Sequence, residues 1–424
     1  MENLLHYAWK YRLYHPDTLR TTDQLSVEVL DPGVHNFDSG PDFFNAKLRI
    51  GDVLWVGNIE IHVRASDWNR HKHHEDAAYN SVIAHIVSED DCRISTQDGR
   101  MLPQFVVPYP HSLEERYIAL LKSDSLIACR EIVPGIDPFM LNAWKTRLLI
   151  ERMEQKTKLI DQIALRTGND WDSIFYVLLG RAFGFGINSD PFERLVRSLS
   201  FQIIQKHHTS LFQLEALLLG QAGFLSDNSV SEPRFFRLKK EYEYLAHKYR
   251  LEALDKSIWK MAKTHSFNFP VIRIVEFAAL FHKYERMFAA MTDRIKSLQE
   301  LTLLFQADAD SYWNNRFSFE IPSPEVKKHL GKDSVHILII NAVIPVLFAY
   351  GNYLGDQSLT DRAFEILEEI KAENNVIIRN WKSLGFRIDN AYDSQAVIQL
   401  QKEYCNKRKC LFCQIGYRIM SGKY

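Results

Sequence analysis

Between Gly40 and Val87 the chain sets ionisable side chains beside strand-like sequence more densely than anywhere else. Asp42, Glu60, His62, Asp67, His71, His73, His74 and Asp76 all fall in this stretch. Carboxylate oxygens are the hard ligands that Mg²⁺ or Mn²⁺ takes, and imidazoles suit Zn²⁺, Mn²⁺ or Fe. An ion held by such groups lowers the pKa of a bound water and neutralises charge growing on a phosphate. Imidazoles next to it could act as general acid or base. The plainer reading of Asp67–Tyr79 is a solvated loop anchored by Trp68, with His74 or Asp76 capping the next helix. His85, alternating within SVIAHIV, reads as a core or interface histidine.

A second cluster lies near the C-terminus. Cys405, Cys410 and Cys413 have the spacing C-x₄-C-x₂-C. Three thiols in one turn can share a metal, and a tetrahedral zinc or a cubane iron–sulfur cluster wants a fourth. Cys129 is the best fourth ligand and Cys92 the next. Against this, reduced cysteines pack as small hydrophobes. Lys402, Lys407, Arg408, Lys409, Arg418 and Lys423 make the tail basic, which suits either phosphate contact or a solvated face.

The elements that must position these residues follow from apolar spacing. Leu4, Leu5, Ala8, Trp9 and Leu13 give residues 2–14 a helical face, which His15-Pro16-Asp17 ends. Leu25, Val27 and Val29 alternate as a strand, and Asp31-Pro32-Gly33 is a turn. Strands over Phe43–Ile50 and Val53–Val63 make a hairpin about Gly51-Asp52. Alternation puts Glu60 and His62 on one face, and the hairpin brings Asp42 close to Glu60. Asp67–Tyr79 reads as a loop closing in a short helix, Ser81–Val87 as a fourth strand, and Arg93–Val107 as a further hairpin around Asp98-Gly99.

From about His111 helical periodicity takes over. Segments follow at Leu141–Leu165, Asp172–Phe183, Pro191–Gln205, Leu211–Gly220, Pro233–Lys248, Val271–Ala289, Met291–Phe305, Ser334–Tyr350, Asp361–Asn374 and Asp393–Tyr404. HILIINAVIPVLFAY is a very apolar helix interrupted at Pro345. The expected fold class is α+β: a small mixed-sheet domain over residues 1–110, then an all-α domain over 111–424 that carries the cysteines.

The order helix, strand, strand with Pro41-Asp42, strand with Glu60-Ile61-His62, helix, strand resembles the core of PD-(D/E)XK nucleases. The resemblance covers about the first quarter of the chain. It implies that Asp42 and Glu60 bind Mg²⁺ or Mn²⁺, that His62 stands where the family has its lysine, and that Glu2 matches an acid some members carry on the first helix. Histidine carries no fixed charge at pH 7, so either that role is altered or His62 is itself a ligand. Some nucleases of that group also clasp their domain with an iron–sulfur cluster on one remote and three clustered cysteines, at a different spacing. Over its full length, in GPDFFNAKLRI, GNIEIHVRASDWNRHKHHEDAAYN, EALLLGQAGFL, NFPVIRIVEFA and YCNKRKCLFCQIG, the chain resembles a bacterial family catalogued only as a domain of unknown function. That resemblance implies a bacterial cytoplasmic protein.

Composition is consistent with this. The chain has 424 residues, a formal net charge of -1, 46% hydrophobic and 25% charged residues, which suits two or three globular domains. A near-zero charge disfavours wrapping nucleic acid by bulk electrostatics but leaves room for a local basic groove. No run of about 18 apolar residues predicts a membrane span, and the N-terminus lacks the pattern of a signal peptide. Five cysteines suit a reducing compartment. The chain has no Walker loop, G-x-S-x-G elbow or G-x-G-x-x-G after a strand, which disfavours NTPases, α/β-hydrolases and dinucleotide enzymes. The leading expectation is a metal-dependent nuclease whose helical region binds substrate or a protein partner. The alternatives are a non-catalytic scaffold retaining a degenerate nuclease core, and another metallohydrolase built on the histidines.

Overall fold

The computed structural model describes residues 1–14, 19–227, 230–261, 268–293 and 297–422. The predicted stop at His15-Pro16-Asp17, residues 294–296 of the expected helix Met291–Phe305, and Lys423 lie outside the described residues.

The chain is 57% helical and 12% strand, with its sheet at the N-terminal end, so the α+β expectation holds. Helix α1 runs Glu2–Lys10. The strands are β1 (Val27–Asp31), β2 (Val34–His35), β3 (Phe43–Ile50), β4 (Val53–Arg64), β5 (Val82–Glu89) and β6 (Gln104–Val106). Sheet order is β1-β3-β4-β5-β6, with β2 beside β3. β1–β3 and β3–β4 are antiparallel, while β4–β5 and β5–β6 are parallel. Beyond Ile94 the structure departs from the expected hairpin. The turn at Asp98-Gly99 forms, closed by a bridge from Ser95 to Met101 and by the Thr96 N–H to Arg100 O and Leu102 N–H to Ile94 O bonds, but no paired strands flank it, and β6 joins β5 in parallel.

Two features of β3 and β4 position the site. The hairpin turns tightly, with Ile50 opposite Val53 and Gly51 at φ +58, the sign a type II′ turn asks of its first residue. Further along, Ala46 faces Gly57 but Phe43 faces Ile59. One extra residue on β3 therefore makes a bulge. Asn45 takes φ +58 there, and its backbone N–H donates to the Asn58 side-chain oxygen at 3.2 Å. The bulge slips the register by one position, so Asp42 comes level with Glu60. It also turns Phe43, not Phe44, into the core.

One face of the sheet packs Phe43, Leu48, Ile59, Ile61 and Ile86 against Leu5 and Trp9 of α1. The parallel connection from β4 to β5 holds the histidine-rich segment. It runs opposite to expectation, with a short helix first, α2 (Asp67–Arg70), then two 3₁₀ turns at His73–Glu75 and Ala77–Ser81. Trp68 and Tyr79 from this connection pack with Val82, Ile94 and Leu102 in a second cluster.

The compact units divide elsewhere than the composition does. The first comprises residues 1–144, 384–386 and 400–424, and the second 145–383 with 387–399. Thus α3 (His111–Lys122), the Cys129 segment and the C-terminal segment all belong with the sheet. The second unit is helical and includes helices at Trp171–Phe183, Leu211–Gln221, Pro233–Tyr249 and Pro270–Lys283. The expected helix Pro191–Gln205 is two, Ser189–Ser198 and Phe201–Lys206. Lys332–Leu354 has the length and apolarity of a membrane span, with a mean hydropathy of 1.9, yet 72% of that window is buried inside the protein. Pro345 sits just past a π-turn at Ile339–Val343. Proline cannot donate to the carbonyl four residues back, and widening the turn accommodates that.

Candidate metal centre on the sheet

Beyond Phe43, β3 no longer flanks β4, and the N–H of Ile61 faces the chain approaching β3. Asp42 fills that place, its Oδ2 accepting from the Ile61 N–H at 2.9 Å. In return, Glu60 Oε2 accepts from the Asp42 N–H at 3.1 Å. The two carboxylates are close, as the hairpin predicts, but each spends an oxygen on backbone. Asp42 Oδ2 also meets His6 Nε2 at 3.4 Å, so Asp42 is turned toward α1.

The other oxygen of Glu60 turns to the histidines. Oε1 lies 3.3 Å from His73 Nε2 and 3.5 Å from His62 Nε2. His71 Nδ1 stands 3.1 Å from that same His62 Nε2. Among the described residues, only His62, His71 and His73 form a trio whose ligand atoms all lie within 4.8 Å of one another. His62 Nδ1 sits 2.8 Å from Nε2 of His85, which lies diagonally across the parallel β4–β5 pair, level with Glu60. One proton is shared in that contact. If His62 donates it, His62 Nε2 is left with its lone pair facing Glu60 and His71, which is the tautomer a metal ligand requires. The trio runs from buried His62 to exposed His71, so the cluster opens to solvent. Tyr79 stacks on His73 at 3.8 Å, and Trp68, fully buried, donates its indole N–H to Ser95 O at 3.0 Å. These two rings hold the connection in place.

The electrostatics are those of a half-buried cluster short of positive charge. Burial, then the neighbouring Asp42, push Glu60 from 4.5 up to about 9. Burial, then His73 and His71, push His62 down to about 3. Burial also lowers His73 and His85. His6 goes the other way: burial alone would lower it, but hydrogen bonding and charge at Asp42 raise it. A divalent cation would relieve both halves of this imbalance, since it favours an ionised carboxylate and neutral imidazoles together. The donor set, three imidazole nitrogens and one carboxylate oxygen, fits a transition ion better than Mg²⁺.

The remaining residues predicted for the site go elsewhere. Asp67 is structural. Its carboxylate accepts from the Arg64 N–H at 3.3 Å and pairs with Arg70 at 2.9 Å. Asp76 caps the following 3₁₀ turn through the Ala78 N–H at 2.9 Å. His74 faces Glu75 at 3.4 Å. Glu2 stays on the first turn of α1, where its charge acts on His6 and Glu60 from a distance. Sequence reasoning misses His6 and Tyr79 and takes His85 for a core or interface histidine.

The cysteines also converge. Cys129, Cys405, Cys410 and Cys413 line one small cavity, with Leu120, Tyr404, Arg408 and Lys409. Cys92 stands apart, packed beside the Trp68 cluster. The basic tail is engaged in fold contacts: Arg408 donates to Ser123 O at 2.6 Å and Ser125 O at 2.9 Å, and Lys407 pairs with Glu403 at 2.5 Å.

No curated protein and no solved structure matches the chain. The profile of one family matches residues 2–376, stopping short of the three clustered cysteines, and its description is "Protein of unknown function (DUF2851)". On that match the chain belongs to the DUF2851 family.

Proposed function

We propose that the protein is a transition-metal-dependent hydrolase of phosphate esters, with Glu60, His62, His71 and His73 holding the ion. The observation that carries this reading is the trio of imidazole nitrogens within 4.8 Å of one another, one of them 3.3 Å from a buried carboxylate. A divalent ion there would supply Lewis acidity and lower the pKa of a water. The chain's own groups do the rest. His85 orients His62, and the Asp42 N–H fixes Glu60 so that Oε1 points at the imidazoles. Asp42, its carboxylate held by the Ile61 N–H and turned toward His6, is a positioning residue for Glu60. Arg70, with a side chain 70% exposed, acts electrostatically on His62, and exposed Lys72 follows it. These cations on the rim favour an anionic substrate, and phosphodiesters of nucleic acid are the first to try. This keeps the hydrolytic chemistry of the nuclease expectation but moves the ligands from two acids to histidines and one acid.

The test uses the full chain, stripped with chelator and reloaded separately with Mn²⁺, Fe²⁺, Zn²⁺ or Mg²⁺. Single- and double-stranded DNA, RNA and a nitrophenyl phosphodiester are offered to each. The expected result is hydrolysis with a transition ion, weaker with Mg²⁺, and abolished by His73→Ala and by Glu60→Ala. No hydrolysis with any ion, or hydrolysis indifferent to both substitutions, would refute the proposal.

A further inference from the structure

The C-terminal segment does not trail from the helical unit. The helix Gln414–Ser421 and the turn before it pack within the first unit. Arg116 donates to Met420 O at 2.9 Å and Gln401 to Leu126 O at 3.2 Å, while Tyr417 packs its ring 5.0 Å from Tyr11. This docking carries Cys405, Cys410 and Cys413 to the segment that bears Cys129, some 280 positions earlier in the chain.

The local geometry around Cys413 is that of a sulfur prepared for charge. Burial raises the Cys413 thiol, and the backbone N–H groups of Ile415 and Gly416 beside its sulfur work against that rise by favouring the charged form. Hydrogen bonds of this kind stabilise a thiolate and tune a sulfur-bound metal. The turn needs a glycine. A Cβ on Gly416 would lie 1.9 Å from the Cys410 carbonyl oxygen, so the Cys410-to-Gly416 loop closes more tightly than any side chain permits. Cys413 is nearly sealed from solvent, at 8% exposure. Burial raises all four thiols. Mere packing needs neither the two backbone N–H groups nor the two cations, Arg408 and Lys409, at the rim.

We infer that Cys129, Cys405, Cys410 and Cys413 form a four-thiolate metal centre that closes the first unit. A net charge of about −2 is what four thiolates leave around Zn²⁺, and the N–H donors with Arg408 and Lys409 oppose it. The thiols give up four protons to solvent as the metal enters, so occupancy falls in acid. The shared chemistry is soft thiolate ligation. A zinc ion and an iron–sulfur cluster both satisfy it, and the experiment separates them.

The full-length protein is purified with and without oxygen, then measured for metals, acid-labile sulfide and visible absorption. Zinc without colour identifies an ion; iron with sulfide and a broad visible band identifies a cluster. To separate this centre from the histidine site, the protein is also exchanged with Co²⁺, because only a thiolate site gives sulfur-to-cobalt charge-transfer absorption. Wild type and Cys92→Ser should show the chosen signal, and Cys129→Ser and Cys413→Ser should lose it while keeping metal at the histidines. Should the cysteine variants fail to fold, thiol titration of the native wild type decides alone: four of its five thiols should be shielded until the metal is removed. A colourless protein without zinc, with thiols freely titratable under native conditions, overturns the inference. So does one whose cysteines are joined in disulfides.

Discussion

Replacing Glu60 by glutamine should strengthen the metal-free protein and weaken the metal-loaded one. In the unfolded chain Glu60 ionises near 4.5; in the folded site it holds its proton to about 9. Below pH 4.5 both states are protonated and the group is neutral to folding. Between 4.5 and 9 the unfolded chain is ionised and the folded site is not, so stability is lost as pH rises, by about 1.4 kcal/mol per unit. At pH 7 the cost is about 3 kcal/mol, and from pH 6.5 to 8 it grows by about 2 kcal/mol, a factor of about 30 in the opening equilibrium. The depressed histidines act only below this window. Their contribution is lost as pH falls below 6.5, where the unfolded imidazoles take up protons that His62, His73 and His85 refuse. Glutamine keeps the oxygen that accepts from the Asp42 N–H and offers its amide to the neutral imidazoles. The assay is hydrogen exchange of the β4 and β5 amides in chelator at pH 6.5 and 8. Wild type should lose protection by about 30-fold beyond the intrinsic pH effect, while Glu60→Gln should keep only the smaller loss due to His6, whose raised pKa also removes stability as pH rises above 6.5. Adding Mn²⁺ or Zn²⁺ should protect wild type and leave the variant unchanged. Parallel pH profiles for the two proteins in chelator would refute the claim that Glu60 is a desolvated carboxylate in a site that lacks a cation.

Two further outcomes follow from the same geometry. His85→Ala removes the partner of His62 Nδ1 without touching a ligand atom, so metal affinity should fall by about 10–100-fold, read by competition with a coloured chelator. Asn45→Val places a β-branched residue at φ +58, which should cost about 1–3 kcal/mol in urea unfolding, whereas Asn45→Gly should be nearly neutral. If Asn45→Val leaves both stability and metal binding intact, the bulge does not set the register of Asp42 against Glu60.

The hairpin was legible because Gly51-Asp52 between two alternating apolar runs admits few other folds. Its consequence, Asp42 near Glu60, was legible to within one residue. The bulge was not, since Asn45 carries no stronger turn signal than many asparagines, yet it decides which atoms meet. The histidine connection was visible as chemistry but not as geometry. Spacing along Asp67–Asp76 could not tell that His71 and His73 turn inward while His74 and Asp76 serve the local turn, because 3₁₀ turns do not impose one periodicity on a face. His6 and His85 reach the site through tertiary packing, which leaves no short-range trace. The boundary at residue 110 followed the change from strand to helix periodicity, but the compact unit extends past α3 and gathers the chain's last segment, a contact some 280 residues long in sequence.

That last contact imposes an order on synthesis. The sheet, α3 and Cys129 leave the ribosome long before the segment that completes their unit. At about 5–20 residues per second, the interval between Cys129 and Cys413 is roughly 15 to 55 s. Throughout it, the surface that receives Leu411, Ile415 and Ile419, all buried in the finished unit, stands uncovered, while the helical unit is free to fold in the meantime. A chain that stops inside the helical unit therefore carries all the histidines of the cluster but lacks Leu411, Ile415 and Ile419, which are buried in the finished unit. Such a chain is a substrate for chaperones and proteases, even though every residue of the candidate metal centre on the sheet has been made.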